Sequence, residues 1–364
     1  MAEGEVERTP GPVVALLIGM AGSGKSTLFH RIHYEAAQTG KRCYFINLDP
    51  AALEVPVEAN IDIRDTVDYK GVMREYSLGP NGAIVTSLNL FATQFGDVMD
   101  ILDERTKEFD YIIIDTPGQI EAFTWSASGQ LIAESLASTL ATCVVYVVDT
   151  PRSRSPATFM SNMVYACSIL HKLRLPLVAA FNKIDVQPPE TCFSWMDDFE
   201  AFHVALDEDD SSEAYVTSLH RSMSLVLDEF YRVLDRVAVS AATGEGIDNF
   251  WAKLDASRLL YDETYGAEIR RKKADYRKRH DDNVEENMAR LRVDVAELDP
   301  DSQPPPPPAM VAPVSNTPPR QPPPPPAATK GAKSPDEPAV AYVRDAPPRV
   351  RTRSKQDTRA SSSS

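Results

Sequence analysis

GMAGSGKST, Gly19 to Thr27, directly follows the apolar run VVALLI (residues 13–18) and opens a stretch with helical spacing of its apolar residues. The pattern G-x-x-x-x-G-K-S/T between a strand and a helix describes a loop whose backbone can close on phosphate. Glycine removes the Cβ that would hold the main chain away from an anion. The amides of Gly22, Ser23, Gly24, Lys25, Ser26 and Thr27 can then converge on it, at the positive end of the following helix. Lys25 is placed to reach the β- and γ-phosphates, and Ser26 to ligate Mg2+. A strand, a glycine loop and a helix in this order predict a parallel sheet with covering helices.

The rest of the chain repeats that unit. RCYFINLD (42–49), YIIID (111–115), TCVVYVVD (142–149), PLVAAFN (176–182) and RVAVSA (236–241) read as five further strands. They are apolar without alternation, as strands buried on both faces are. The fold class expected is α/β: a P-loop NTPase with a doubly wound, mostly parallel sheet. Ligands of such sheets sit beyond the carboxyl ends of the strands, so the loops after these runs should converge.

Those loops carry chemistry. In IIIDTPGQ (112–119), Asp115 is positioned to hold Mg2+ through water, and the Gly118 N–H to sense a γ-phosphate. Gln119 directly follows that glycine, where it can orient an attacking water. In INLDPA (46–51), Asp49 projects toward the same phosphate, to activate water or to serve as an outer-shell Mg2+ ligand; it can also cap the turn at Pro50. In FNKID (181–185), Asp185 can accept from the guanine N1–H and 2-amino groups, which adenine lacks. Asn182 is expected on the base, and the Lys183 stem over its plane. SAATG (240–244) adds backbone donors at Ser240, Ala241 and Ala242 for the guanine oxygen. N-K-x-D alone is a weak motif; in the fifth loop, followed by S-A in the sixth, it favours GTP over ATP.

Gly79-Pro80-Asn81-Gly82 reads as a tight turn with an amide at its tip. The order P-loop, LDPA, GPN, DTPGQ, NKID, SAATG resembles the GPN-loop GTPases over roughly residues 12–262, and most of all the eukaryotic GPN-loop GTPase 1 branch. That resemblance implies Mg2+-dependent GTP hydrolysis in a constitutive dimer, with the GPN loop and Asn81 contributing across the interface. Homodimer and heterodimer with a paralogue stay open, as does the choice between Asp49 and Gln119 for water activation. For eukaryotic members it further implies assembly and nuclear import of RNA polymerase II through its subunits. Related dimeric ATPases carry an extra lysine in the glycine loop where this chain has Met20. The site then needs another polar group, and Asn81 is the candidate.

Composition sets the surroundings. The net charge is −15 over 364 residues, yet residues 301–364 hold nine Lys and Arg against five Asp and Glu. The acidic excess therefore lies in the first 300 residues and argues against direct nucleic-acid binding. Cys43, Cys143, Cys167 and Cys192 show no metal-type spacing and are expected as thiols in a reducing compartment. No apolar run suits a signal peptide or a membrane span, so a cytosolic or nuclear protein is expected; the resemblance implies cytoplasmic residence with shuttling to the nucleus.

The expected organisation is a flexible N-terminus (1–11), the nucleotide domain (12–262) with a helical insertion (about 188–229), a charged helical extension (263–299) and a disordered proline-rich tail (300–364). The insertion, with Trp195, Phe199, Phe202 and Leu206 among acidic residues, suits a helical cap or a partner surface. The basic cluster from Arg270 to Arg279 and the spacing of Met288, Leu291, Val293, Val295 and Leu298 suit either a solvated helix or transport signals. The proline runs suit disorder or docking of SH3 and WW domains. Two other function classes fit parts of the pattern. One is a nucleotide-regulated scaffold, whose partner binding is its main activity. The other is a small-molecule kinase, against which the N-K-x-D and S-A loops argue.

Overall fold

The computed structural model describes residues 11–52, 59–208, 223 and 227–298. Its strands are β1 (Val13–Ile18), β2 (Cys43–Asn47), β3 (Ile61–Asp62), β4 (Tyr111–Asp115), β5 (Ala141–Asp149), β6 (Leu177–Asn182) and β7 (Asp235–Ala238). They form one sheet in the order β3-β2-β4-β1-β5-β6-β7, every pair parallel. Parallel neighbours need crossovers. These are supplied by α1 (Lys25–Thr39), α2 (Ile63–Thr66), α3 (Tyr69–Glu75), α4 (Pro80–Thr93), α5 (Phe95–Arg105), α6 (Ile120–Thr124), α7 (Ala127–Thr139), α8 (Pro156–Leu173), α9 (Glu190–Asp197) and α10 (Phe199–Glu208). Helices Ile247–Glu263 and Tyr265–Leu298 come after β7.

Val14, Leu16, Ile18, Ile112, Ile114, Val144 and Tyr146 pack into one apolar layer, and Val13, Ala15, Leu17, Ile113, Cys143 and Val145 into another. The central strands are therefore buried on both faces, which is why their sequences do not alternate. β1 lies between β4 and β5, with Leu17 opposite both Asp115 and Val145. That puts the glycine loop, the DTPGQ loop and the loop after β5 at one end of the sheet.

Two expectations are corrected here. The sheet has a seventh strand, β3, which pairs Ile61 and Asp62 with Ile46 and Asn47; two residues are too few to show a strand pattern. Gly79-Pro80-Asn81-Gly82 is not a tight turn but the start of α4. Gly79 is the N-cap, with extended φ −70° and ψ 170°, and Pro80 is the first helical residue. The first helical bond runs from Ala83 N–H to Gly79 C=O at 3.0 Å. Proline at that position gives up an amide that would have no helical partner, and its fixed φ suits the helix as well as the turn. Asn81 thus stands exposed in the first turn of a 14-residue helix.

The insertion after β6 contains α9 and α10. Trp195, Phe202 and Leu206 are buried, and Phe159 of α8 packs edge-on against Trp195 at 5.3 Å and Phe202 at 5.7 Å. Burying side chains of this size is worth about 1.5–3 kcal/mol each, which docks both helices on α8. Phe199 is half-buried against the ring of His203. Residues 209–222 and 224–226 of the insertion, residues 1–10 and the tail from 299 lie outside the described residues. So do the side chains of Leu291, Val293, Val295 and Leu298. The sheet and its loops belong to a unit whose described part ends at Lys272; from Lys273 the second unit is described as helix to Leu298. All four cysteines are free thiols. Among the described residues no helix is long and apolar enough to cross a membrane.

Candidate nucleotide site

The glycine loop is locked by its neighbours. Gly24 takes φ +91°, and a Cβ there would lie 2.5 Å from Asn182 Nδ2, so only glycine combines this backbone with that contact. Lys25, the first residue of α1, is buried, and its Nζ donates to Gly19 C=O at 2.7 Å and Met20 C=O at 3.1 Å. Burial lowers its pKa, opposed by the charges of Asp115 and Asp49. Ser26 and Thr27 stand exposed in the same first turn. Ser23 is buried within the loop.

Asp115 ends β4, 4% exposed. Burial pushes its carboxyl up to about 7, against the pull of a Ser26 hydrogen bond, the Lys25 charge and the Thr116 amide, while Asp49 pushes further upward. Its Oδ1 has no hydrogen-bond partner. A carboxylate buried this way needs a cation or a proton. An orphaned oxygen beside a serine hydroxyl fits Mg2+, which takes few protein ligands and completes its shell with water and substrate phosphates.

Asp49 lies two residues beyond β2. Its Oδ1 accepts from Ala51 N–H at 2.9 Å and its Oδ2 from Gly118 N–H at 3.3 Å. The same carboxylate therefore caps the turn at Pro50 and reaches the DTPGQ loop. Burial raises its pKa; the two amides and the charges of Lys25 and Arg64 oppose this. Asn47 braces the aspartate, accepting from Asp49 N–H at 3.0 Å while its Nδ2 donates to Asp62 at 3.1 Å. Asp62 in turn is held by Arg64 at 2.7 Å. Gln119 Nε2 donates to Asn81 Oδ1 at 2.5 Å. Asp49, Gly118, Gln119 and Asn81 thus form one continuous cluster.

At the other end of the crevice, Ser240 Oγ donates to Asp185 Oδ1 at 2.6 Å and accepts from Thr243 N–H at 3.1 Å. Lys183 adopts φ +68°; its Nζ donates to Gly22 C=O and to Asp149 Oδ2, each at 2.7 Å. Asn182, expected on the base, also holds the loops together. It is 1% exposed, and its Nδ2 donates to Ser23 C=O at 3.0 Å. Its Oδ1 accepts from Lys183 N–H at 2.8 Å and Ala241 N–H at 3.0 Å. Both ends of the amide are engaged inside the protein, so Asn182 joins three loops.

Sequence reading missed three participants. Asp149, at the end of β5, anchors Lys183. Arg152, in a short 3-10 turn (Arg152–Arg154), stands 3.6 Å from Asp149 and sends Nη1 to Ala21 C=O at 3.5 Å. Arg31 on α1 binds the SAATG loop. Asp149 ends an apolar run as Asp115 does, and that was its available clue. The arginines belong to no motif. A separate cleft of about 750 Å³ opens at the amino-terminal edge of the sheet, by Val13 and Tyr111. Among its lining residues Arg42 pairs with Asp110 at 2.6 Å and Tyr111 Oη donates to Asp255 at 2.7 Å, and it lies away from the glycine loop.

Residues 17–258 match the profile of a family described as a conserved hypothetical ATP binding protein. Curated relatives point to the other purine. The chain is 54% identical over 259 residues to GPN-loop GTPase QQT2 of Arabidopsis thaliana, covering 71% of this chain and 68% of that one. It is 50% identical over 278 residues to GPN-loop GTPase 1 of Saccharomyces cerevisiae, covering 72% of each. The chain belongs to the GPN-loop GTPases. The crystal structure of a GPN-loop GTPase from Pyrococcus abyssi in its apo form matches with a TM-score of 0.59 at 27% identity, over 67% of this chain and 97% of that one. As a GPN-loop GTPase this chain is a GTP-binding hydrolase.

Proposed function

We propose that this GPN-loop GTPase hydrolyses GTP to GDP and phosphate with Mg2+, as a dimer whose GPN loops act across the interface, and that the cycle serves assembly and nuclear import of RNA polymerase II. The observation carrying the chemistry is the chain of contacts from Asp49 through Gly118 to Gln119 and Asn81, beside Lys25, Ser26 and Asp115.

Ser26 would hold Mg2+ directly, and Asp115 and Asp49 through water; the ion would neutralise charge on the β- and γ-phosphates. Lys25 adds a second fixed positive charge and can exchange its loop carbonyls for phosphate oxygens. The Gly118 N–H, now on Asp49, can turn to the γ-phosphate, which frees Asp49 Oδ2 to accept a hydrogen bond from water. Gln119, released from Asn81 when the GPN loop turns to the partner, presents its side-chain amide to the same water. Water adds to phosphorus, the bond to the β-γ bridging oxygen breaks, and that electron pair leaves on GDP. Burial shifts Asp49 toward the range where it can take the water's proton.

The dimer is supported by the family resemblance, by Met20 in place of a cation and by the exposure of Asn81. The polymerase clients, a homo- or heterodimeric partner, and cytoplasmic residence with nuclear shuttling rest on the resemblance to eukaryotic members. Affinity purification from the native cell with GDP and with a GTP analogue, followed by mass spectrometry, tests this part. Polymerase subunits recovered in one nucleotide state support it, and their absence from both states overturns it.

A further inference from the structure

Arg31 lies on α1, six residues after Lys25, and its side chain crosses to a loop 210 residues away in sequence. Its Nε donates to Ala241 C=O at 3.1 Å, and its Nη2 donates to Ala242 C=O. Glu35, one turn further along, pairs with Nη1 at 3.4 Å, and the guanidinium lies 5.5 Å from the centre of the Tyr34 ring. The planar fork of arginine can reach two neighbouring carbonyls at once, which an ammonium does less well. The loop is shaped to admit this pair. Gly244 adopts φ +90°, and a Cβ there would stand 2.8 Å from Glu35 Oε1 and 3.4 Å from Arg31 Nη1.

These contacts fix peptide planes. Ala241 N–H is taken by Asn182 and Thr243 N–H by Ser240 Oγ. The intervening peptide turns its carbonyl, that of Ala241, onto Arg31. In a trans peptide the carbonyl and the N–H point in opposite directions, so the Ala242 N–H faces away from Arg31. Ala242 is exposed.

We propose that Arg31 is a positioning residue for base selectivity: it aims the Ala242 N–H at the exocyclic oxygen of guanine and ties that aim to the helix that begins the phosphate site. This rests on the assignment of SAATG as the base-binding loop. Without Arg31 the loop keeps its Asn182 and Ser240 bonds but loses the constraint on the one peptide plane that reads oxygen. Contacts of Asp185 with N1–H and the 2-amino group are set by Ser240 and do not need Arg31.

The test is calorimetric, on the full chain, with GDP, 6-thioguanosine diphosphate (a weak acceptor in place of the oxygen) and inosine diphosphate (oxygen kept, 2-amino group missing). Wild type should prefer GDP to the thio analogue, and equal affinity for the two overturns the base-loop assignment and the inference with it. Given that preference, R31A should weaken GDP and inosine diphosphate about 5- to 30-fold, the scale of a neutral hydrogen bond with its desolvation. It should change the thio analogue little, so that the GDP-to-thio preference collapses while the GDP-to-inosine preference persists. Collapse of both preferences makes Arg31 a general brace and overturns the proposal, as does preservation of both. If R31A fails to fold, R31Q is the variant read. It retains one donor and should show an intermediate GDP-to-thio preference; a wild-type value overturns the proposal.

Discussion

Gln119 Nε2 donates to Asn81 Oδ1 at 2.5 Å, joining the loop after β4 to the first turn of α4 across 38 residues of sequence. The bond uses the donor end of Gln119 and leaves its carbonyl end for water. On the other side of the same loop, Asp49 holds Gly118. One dipeptide, Gly118-Gln119, is thereby gripped from two directions, and each grip is a polar contact that a γ-phosphate or an attacking water can replace.

Gln119→Leu and Asp49→Ala should therefore each lower kcat while changing GDP affinity little, because Gln119 serves the attacking water and Asp49 faces the γ-phosphate and would hold Mg2+ only through water. Single-turnover hydrolysis and GDP calorimetry measure the two quantities. A rate within about threefold of wild type, under about 1 kcal/mol of barrier, removes that residue from water activation.

Asp115 has a carboxyl raised to about 7 by burial and an oxygen without a partner. Asp115→Asn keeps the shape and removes the buried charge. The nucleotide-free variant should melt at the same temperature as wild type or above it, whereas the boost in GTP affinity given by Mg2+ should vanish. Calorimetry with Mg2+ and with EDTA reads the second effect. A full Mg2+ response in the variant would sink the metal assignment.

The Asp185 carboxylate, held by Ser240 at 2.6 Å, is proposed as the base discriminator. A site built to hydrogen-bond a group rejects an analogue lacking it by about 10⁴–10⁵-fold. Asp185→Asn should weaken GTP strongly and improve xanthosine triphosphate. Comparable affinities of the wild type for ATP and GTP contradict the assignment.

How much of this site is legible in the sequence depends on how local each part is. The glycine loop, DTPGQ and NKID are read directly, because a strand end delivers four to nine consecutive residues to the crevice whatever the packing. Buried strands announce themselves by unbroken apolar runs, but β3, only two residues long, has no pattern to show. Pro80 carries the same fixed φ in a turn and in a helix, and the apolar spacing of Ala83, Ile84, Leu88 and Phe91 decides for the helix. The amide of Asn182 also ties Ser23, Lys183 and Ala241 together, a bracing contact that the N-K-x-D motif does not announce. Arg31 and Arg152 reach their loops only through tertiary packing, across 210 and 131 residues, and no local pattern encodes that.

Asn81 decides between two arrangements. In a single chain it holds its own Gln119, while action across a dimer requires it to release that amide and reach the partner's site. Asn81 is exposed at the start of a helix rather than packed, so the exchange sacrifices no buried contact. Met20 leaves the phosphate site one cation short of related dimeric ATPases, which gives an incoming amide something to complete. If the loop acts across the interface, Asn81→Ala should lower kcat by about 10–10³-fold, the scale of one preorganised donor, with little change in melting temperature. Mixing Asn81→Ala with Lys25→Ala chains should then restore part of the activity. In the mixed dimer the Asn81→Ala subunit keeps a sound glycine loop and receives an intact GPN loop from its partner. Native mass spectrometry verifies the mixed species before its turnover is measured. Verified mixed dimers with no recovery would mean that Asn81 acts within its own subunit, through its contact with Gln119, or has no part in hydrolysis.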